Sequence, residues 1–352
     1  MRTEAKTMQA LVLPAWQRDP ELRELPIPQP GPGDVRVRVG GSGACHSDLH
    51  LMDWPAGTLG FDPPFVLGHE IAGWVDMLGP GVDGLSLGEG VAVYGPWGCG
   101  RCRACRSGAE NYCEHAADLQ VLAPGIGHDG GMAEYVVVPA RLLVPLGDLD
   151  PVEAAPLTDA ALTPYHAIKR SLPTLVPGTT AVVIGAGGLG HMGVQILRAL
   201  APSRIVAIDP AANKRQLALD SGADVAIAPD DDATQQVRSL TGGLGAELVV
   251  DMVGSDSSLA MAASFARVRG AITVVGLAMG TFPFNFFALP YECSLSSTYW
   301  GTATELMEVI ALARAGKLHA QIERFTLHDA IDAYRRLRAG DVQGRAVITP
   351  SP

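Results

Sequence analysis

Between residues 8 and 150 the chain runs in short alternating or wholly apolar stretches, each cut off by Gly or Pro. Val35-Arg36-Val37-Arg38-Val39, Val91-Ala92-Val93-Tyr94 and Glu134-Tyr135-Val136-Val137-Val138 are examples. Period-two runs bounded by turn residues predict a domain of small β-strands joined by long loops. After Pro151 the pattern changes. Ala181-Val182-Val183-Ile184 reads as a buried strand, Leu189 to Leu200 as a helix and Arg204-Ile205-Val206-Ala207-Ile208 as a strand again. The alternation continues through Lys214 to Ser221, Leu248 to Val253, Ser257 to Phe265 and Ala271 to Leu277, which predicts a doubly wound parallel sheet over residues 156–296. Beyond it, Leu306, Val309, Ile310 and Ala313 share one helical face, and Arg345-Ala346-Val347-Ile348-Thr349 reads as a last strand packed on the first domain. The expected division is therefore 1–155 with 297–352 as one domain and 156–296 as the other. Residues 1–7 read as a polar overhang, since Met8 leads straight into the first apolar run.

With 352 residues, 47% of them hydrophobic, the chain exceeds what one core usually fills. Its net charge of −11 carries no basic stripe, which argues against a nucleic acid or an anionic membrane as partner. No apolar run suits a secretory signal or a membrane span, so a cytoplasmic location is expected. Of six cysteines, Cys99, Cys102, Cys105 and Cys113 crowd into fifteen residues, too close to brace a large fold as disulfides. In a reducing compartment that pattern points to metal.

Three clusters carry candidate chemistry. Gly185-Ala186-Gly187-Gly188-Leu189-Gly190 lies between a predicted strand and a predicted helix, where glycines allow a tight turn and a helix N-terminus meets a pyrophosphate. Asp209 ends the next strand, 24 residues after Gly185, where a carboxylate would bind ribose hydroxyls and repel a 2′-phosphate, favouring NAD over NADP. Lys214 and Arg215 follow and would temper that rejection. C-x2-C-x2-C-x7-C over Cys99–Cys113 offers four thiolates that close a tetrahedral shell with no vacancy, so it reads as a structural zinc site. Arg101, Arg103 and Arg106 compensate its net charge, and an iron–sulfur cluster is the rival occupant. Finally, Cys45-His46-Ser47-Asp48 and Gly68-His69-Glu70 put a thiol and an imidazole into two loops of the β-rich domain. One Cys and one His still need a third ligand.

Together these motifs resemble the zinc-containing medium-chain alcohol dehydrogenases, and the resemblance covers nearly the whole chain. Within that family, Val93 to Gly100, Leu157-Thr158-Asp159-Ala160 and Tyr299-Trp300-Gly301 are most similar to the bacterial secondary-alcohol dehydrogenases. The resemblance implies a GroES-like catalytic domain, a Rossmann cofactor domain, NAD, and two Zn²⁺ per chain. It implies a zinc-dependent, reversible transfer of hydride between an alcohol carbon and nicotinamide. Many members place a cysteine in a Cys-x-x-x-Thr segment as third ligand. Here the stretch reads Asp159-Ala160-Ala161-Leu162-Thr163, which puts Asp159 on the catalytic zinc with Cys45 and His69. The competing reading makes Asp159 a helix cap near Pro156 and Pro164.

By the same resemblance Ser47 and His50 form a proton relay, Asp48 fixes the tautomer of the zinc-bound histidine, and Glu70 assists ligand exchange. His46 and Arg345 match residues at the pyrophosphate. Thr163 and Leu189 match residues against the nicotinamide ring, and Gly276 and Leu277 lie near its carboxamide. Candidates for the substrate pocket are Trp54, Leu119, Phe286, Tyr299 and Trp300. Ser47 in place of threonine leaves room beside the metal, which favours secondary alcohols and their ketones. A homodimer or homotetramer joined near residues 276–296 is expected. Two alternatives stand beside this reading: a specialised reductase or dehydrogenase of polyol, formaldehyde or conjugated or iminium substrates, and a non-catalytic NAD(H)-binding protein on the same scaffold.

Overall fold

The computed structural model describes residues 6–119 and 123–350. The chain forms two compact units. One holds the residues up to Asp159 with Thr302–Arg314 and those from Ala320 onward; the other holds Ala160–Gly301 and Ala315–His319. The sequence pattern placed these divisions at 155/156 and 296/297. Residues 155–158 form a 3-10 turn, Ala155–Thr158, that packs on the strands of the first unit, so Asp159 falls in the same unit as Cys45 and His69.

The first unit is built on a seven-stranded sheet. Its order is Leu143–Pro145, Gly90–Val93, Glu70–Leu78, Asp34–Gly43, Arg345–Thr349 and Ile322–Thr326, with Tyr135–Pro139 also paired to Asp34–Gly43. Alternation explains the central strand: Val35, Val37 and Val39 are buried against Ile71, Val91, Val93 and Val136, while Arg36 and Arg38 lie outward over the rings of Tyr135 and Trp74. The strand Arg345–Thr349 runs antiparallel beside it, with Val347 opposite Gly43. A second, smaller sheet pairs Thr7–Leu13 with Glu21–Pro26 and Phe65–Val66. Of the expected polar overhang, residues 1–5 lie outside the described residues. Thr7 begins this strand, and the carbonyl of Lys6 accepts from the Ile27 amide.

The second unit carries a six-stranded, all-parallel sheet in the order Val225–Ile227, Arg204–Ile208, Thr180–Ile184, Ala246–Asp251, Ala266–Val274, Ser294–Ser297. Numbered along the chain this is 3-2-1-4-5-6, the order of dinucleotide-binding sheets. Every residue of Thr180–Ile184 is buried, as a strand covered on both faces must be. Among the described residues, no helix is long and apolar enough to cross a membrane.

Candidate active site and metal centres

Cys45 caps the helix His46–Asp53. Its amide donates to Asp48 Oδ2 at 2.9 Å, which fixes the turn that presents the thiol. His69 enters from the far side, just before the strand Glu70–Leu78. Gly68 ahead of it has φ of +94°, and a Cβ there would meet Ser42 Oγ and the backbone of Met132, so only glycine lets the chain pass. Asp159 follows the 3-10 turn and completes the group.

Cys45, His69, Glu70 and Asp159 each offer a ligand atom within 4.8 Å of all the others. Cys45 Sγ lies 3.9 Å from Asp159 Oδ2, and His69 Nε2 lies 3.7 Å from that same oxygen. Tetrahedral zinc separates a sulfur and an oxygen ligand by about 3.6 Å and a nitrogen and an oxygen by about 3.4 Å, so the donors need to move only a few tenths of an ångström. The residues fit a zinc ion. The site's field points the same way. Burial pulls the His69 pKa down, but Asp48, Asp159 and Cys45 together hold it well above the usual histidine range, so this nest favours a cation. As for the cap reading of Asp159, the helix Leu162–Lys169 starts from Ala161 with no side-chain cap.

His69 Nδ1 lies 3.1 Å from Asp48 Oδ1, which leaves Nε2 facing the cluster. Ser47 Oγ is 3.6 Å from Cys45 Sγ. His50, one turn on, stacks on Trp54 with centroids 5.5 Å apart, and burial lowers its pKa. Asp53 opposes that shift and Arg338 adds to it.

Arg345 lies beside the cluster, against Glu70. Expected at the pyrophosphate with His46, it is 2% exposed and paired with Glu70 on both carboxylate oxygens, its Nε donating at 3.0 Å. Its Nη2 also lies 4.0 Å from Asp159. His46 is exposed at the helix start. Burial, aided by Asp159 and opposed by Arg345, pushes the Glu70 carboxyl up to about 7. A Cβ on Gly43 would come within 1.8 Å of Glu70 Oε2, so glycine there is a condition of the pair.

The four thiols Cys99, Cys102, Cys105 and Cys113 also gather within 4.8 Å, with Sγ separations of 3.9 Å for Cys99–Cys105 and 3.4 Å for Cys102–Cys105. A tetrahedral ZnS4 edge is about 3.8 Å. Backbone amides of Cys99, Cys102, Cys105 and His115 point at the sulfurs, and the Cys99 thiol is lowered to about 6, most by the Arg101 amide. Glu110, buried, ties the lobe down by accepting from the Gly98 amide and Arg141. Leu119, a candidate for the substrate pocket, packs on these cysteines.

In the second unit Gly185 (φ +85°) turns the chain from Thr180–Ile184 into the helix Gly190–Leu200. A Cβ on Gly190 would lie 1.9 Å from the Gly185 carbonyl oxygen, whereas one on Gly187 would meet nothing within 4 Å. Gly190 is thus a packing requirement, and Gly187 faces open space that a ligand can enter. Gly188 and Leu189 complete the turn. The sequence reading missed His191, whose Nδ1 lies 3.0 Å from the Gly187 carbonyl. Asp209 takes the amides of Ala186 (2.8 Å) and Ala211 (2.9 Å), binding the glycine turn to the next one. Lys214 is exposed on Ala212–Asp220, and Arg215 donates to the carbonyls of Asp209 and Pro210. Gly276 abuts the backbone at Val253, Leu277 is exposed, and Thr163 is buried in Leu162–Lys169.

The candidate pocket aromatics are divided between the two units. Trp54 lies beside His50 in the first unit, while Phe286, Tyr299 and Trp300 belong to the second. Phe286 is 75% exposed among Phe287 and Tyr291, just before the edge strand Ser294–Ser297.

Sequence comparison matches residues 31–148 to the alcohol dehydrogenase GroES-like domain and residues 188–315 to the zinc-binding dehydrogenase domain. A D-arabinose 1-dehydrogenase (NADP⁺) of Saccharolobus solfataricus is 35% identical, with 97% of each chain covered. An NAD-dependent alcohol dehydrogenase of Sulfurisphaera tokodaii is 34% identical over 97% of this chain and 100% of its own. The crystal structure of the alcohol dehydrogenase of Aeropyrum pernix superposes with a TM-score of 0.89 at 33% identity, covering 97% and 100%. This chain belongs to the zinc-containing medium-chain alcohol dehydrogenase family.

Proposed function

We propose that the protein is a zinc-dependent, NAD-linked alcohol dehydrogenase that interconverts secondary alcohols with ketones. The observation that carries this reading is the mixed sulfur, nitrogen and oxygen donor set of Cys45, His69 and Asp159, with the Ser47 hydroxyl beside it. Three protein ligands of this kind leave a coordination position for substrate. When bound, zinc supplies Lewis acidity that brings an alcohol's pKa towards neutrality. NAD, held at the Gly185–Gly190 turn, supplies the hydride acceptor. Ser47 then takes the hydroxyl proton onward, and His50, kept neutral by partial burial, receives it at the outer end of the relay. Asp48 holds His69 in the tautomer that donates from Nδ1. Serine at position 47 supports room for two substituents on the carbinol carbon.

A second zinc in the four-cysteine lobe is structural, since four thiolates fill its shell. Asp209 favours NAD over NADP. The exposed aromatics around Phe286 and Phe287, next to the edge strand Ser294–Ser297, support a homodimer or homotetramer formed at this edge. Six free cysteines, four of them clustered, support a reducing, cytoplasmic setting. Sugar oxidation is the second reading, favoured by the likeness to a D-arabinose dehydrogenase. The test is NAD reduction by zinc-replete protein across matched primary and secondary alcohols and D-arabinose, repeated with NADP and after chelation. Chelator-sensitive, NAD-selective turnover with a secondary preference supports the proposal. Turnover of the sugar alone selects the second reading, and no turnover with any of them refutes both.

A further inference from the structure

We infer that Tyr334 is a positioning residue for the catalytic metal: through Asp48 it sets the orientation of His69 and so the metal affinity of the Cys45–His69–Asp159 cluster. The inference rests on the reading of that cluster as a metal site.

Asp48 is fully buried. An ionised carboxylate there is tolerated only if its lone pairs are met by donors. Three are in reach: the Cys45 amide at 2.9 Å and the Tyr334 hydroxyl at 2.8 Å, both on Oδ2, and His69 Nδ1 at 3.1 Å from Oδ1. The first two brace one oxygen from opposite parts of the chain, which leaves the other aimed at the imidazole. Tyr334 is itself 4% exposed. Burial, and after it the Asp48 charge, push the phenol far above its ordinary pKa, so it remains a donor throughout the working range.

Tyr334 is held in turn by its helix. Ala330, Ala333, Tyr334 and Leu337 form the buried stripe of Ala330–Ala339, which packs on His46–Asp53. On the outer side of the same contact Arg338 grips Asp53 through both carboxylate oxygens, at 2.7 and 3.0 Å. The two helices are thus pinned at both ends of their contact, and the inner pin ends on the metal ligand. A phenol whose only task was to fill the core would have no need to meet a buried carboxylate.

The test is Tyr334→Phe, which keeps the ring and removes the donor, with Tyr334→Met as a second donor-free side chain. In the full-length, zinc-loaded protein, competition with a chromophoric chelator measures metal affinity at each site. The absorption spectrum after cobalt replaces the catalytic zinc reports ligand geometry. Both variants are expected to weaken the catalytic site about tenfold, shift the cobalt spectrum, and leave the four-cysteine site unchanged. In an Asp48→Asn background the effect of Tyr334→Phe disappears. Leu337→Ala, buried on the same helix, lowers thermal stability without changing metal affinity. Catalytic-site affinity within twofold of wild type, with an unchanged cobalt spectrum, would overturn the inference and leave Tyr334 as core packing. Absence of NAD-linked turnover in the wild-type, zinc-loaded protein would count against the assigned reaction, whereas the metal affinities of the variants decide this inference.

Discussion

Glu70→Gln tests the electrostatics beneath the catalytic cluster. Glu70 is fully buried, and its carboxyl sits at about 7 against an ordinary 4.5. A group whose folded pKa is raised binds more protons in the folded state, so its contribution is intact below pH 4.5 and is lost as pH climbs to about 7. That gap corresponds to about 3.4 kcal/mol. With an unfolding entropy of about 2.1 cal/mol/K per residue, or roughly 0.7 kcal/mol/K for 352 residues, the loss is about 4–5 °C in the unfolding midpoint. Glutamine has nearly the same shape and does not titrate. Like the protonated Glu70 it mimics, it sets no charge against Arg345, so apart from the missing titration any offset it introduces is the same at every pH below about 7. The diagnostic quantity is therefore the slope rather than the offset. In chelator-treated protein, the wild-type midpoint should fall about 4 °C further than the variant's between pH 4.5 and 7.5. Restoring zinc brings a dication close to Glu70, holds it ionised, and should flatten the wild-type curve towards the variant's. Parallel curves for the two metal-free proteins would refute the argument.

Three further outcomes follow from the geometry. Gly190→Ala drives a Cβ into the Gly185 carbonyl, and because backbone stands on both sides the turn must open; NAD affinity should fall tenfold or more by nicotinamide fluorescence, with zinc content unchanged. Asp159→Ala removes one of the three ligand side chains, and metal analysis should show about one zinc per chain in place of about two, with turnover lost. Arg338→Ala removes a cation that lowers the His50 pKa and frees Asp53 to raise it. In the proposed relay neutral His50 accepts the proton, so the acid limb of kcat/KM should move to higher pH. With Arg338 and Asp53 both about half exposed, solvent screening keeps the movement small. An acid limb that stays in place would separate His50 from the relay.

What was legible in the sequence was local. The glycine turn, the four spaced cysteines and the strand–helix alternation each declare themselves within about twenty residues, because one backbone geometry demands that spacing. The thiol and imidazole loops were legible for the same reason. Pairings across the chain were not. Arg345 and Glu70 are 275 residues apart, and nothing in Gly344-Arg345 distinguishes a guanidinium bound for a phosphate from one bound for a buried carboxylate. Tyr334 stands 286 residues from Asp48 and occupies a stripe position on its helix, where a tyrosine reads as ordinary core. Where Leu119 packs was not legible either, because a lone apolar residue carries no address. At the first boundary, residues 156–159 were decided by which sheet the turn Ala155–Thr158 packs on, a tertiary choice that periodicity does not encode.

The separation of Glu70 from Arg345 also sets an order of events during synthesis. The four cysteines of the lobe leave the ribosome within fifteen residues of one another, so that site can close on its ion while most of the second unit is still untranslated. Cys45, His69 and Glu70 emerge early too, but the guanidinium that neutralises Glu70 follows 275 residues later. At about 5–20 residues per second that is a wait of roughly 14–55 s. On the proposed two-zinc reading, the lobe's site can therefore be complete during translation, whereas the Glu70–Arg345 pair beside the catalytic cluster closes only after the strand Arg345–Thr349 has been made.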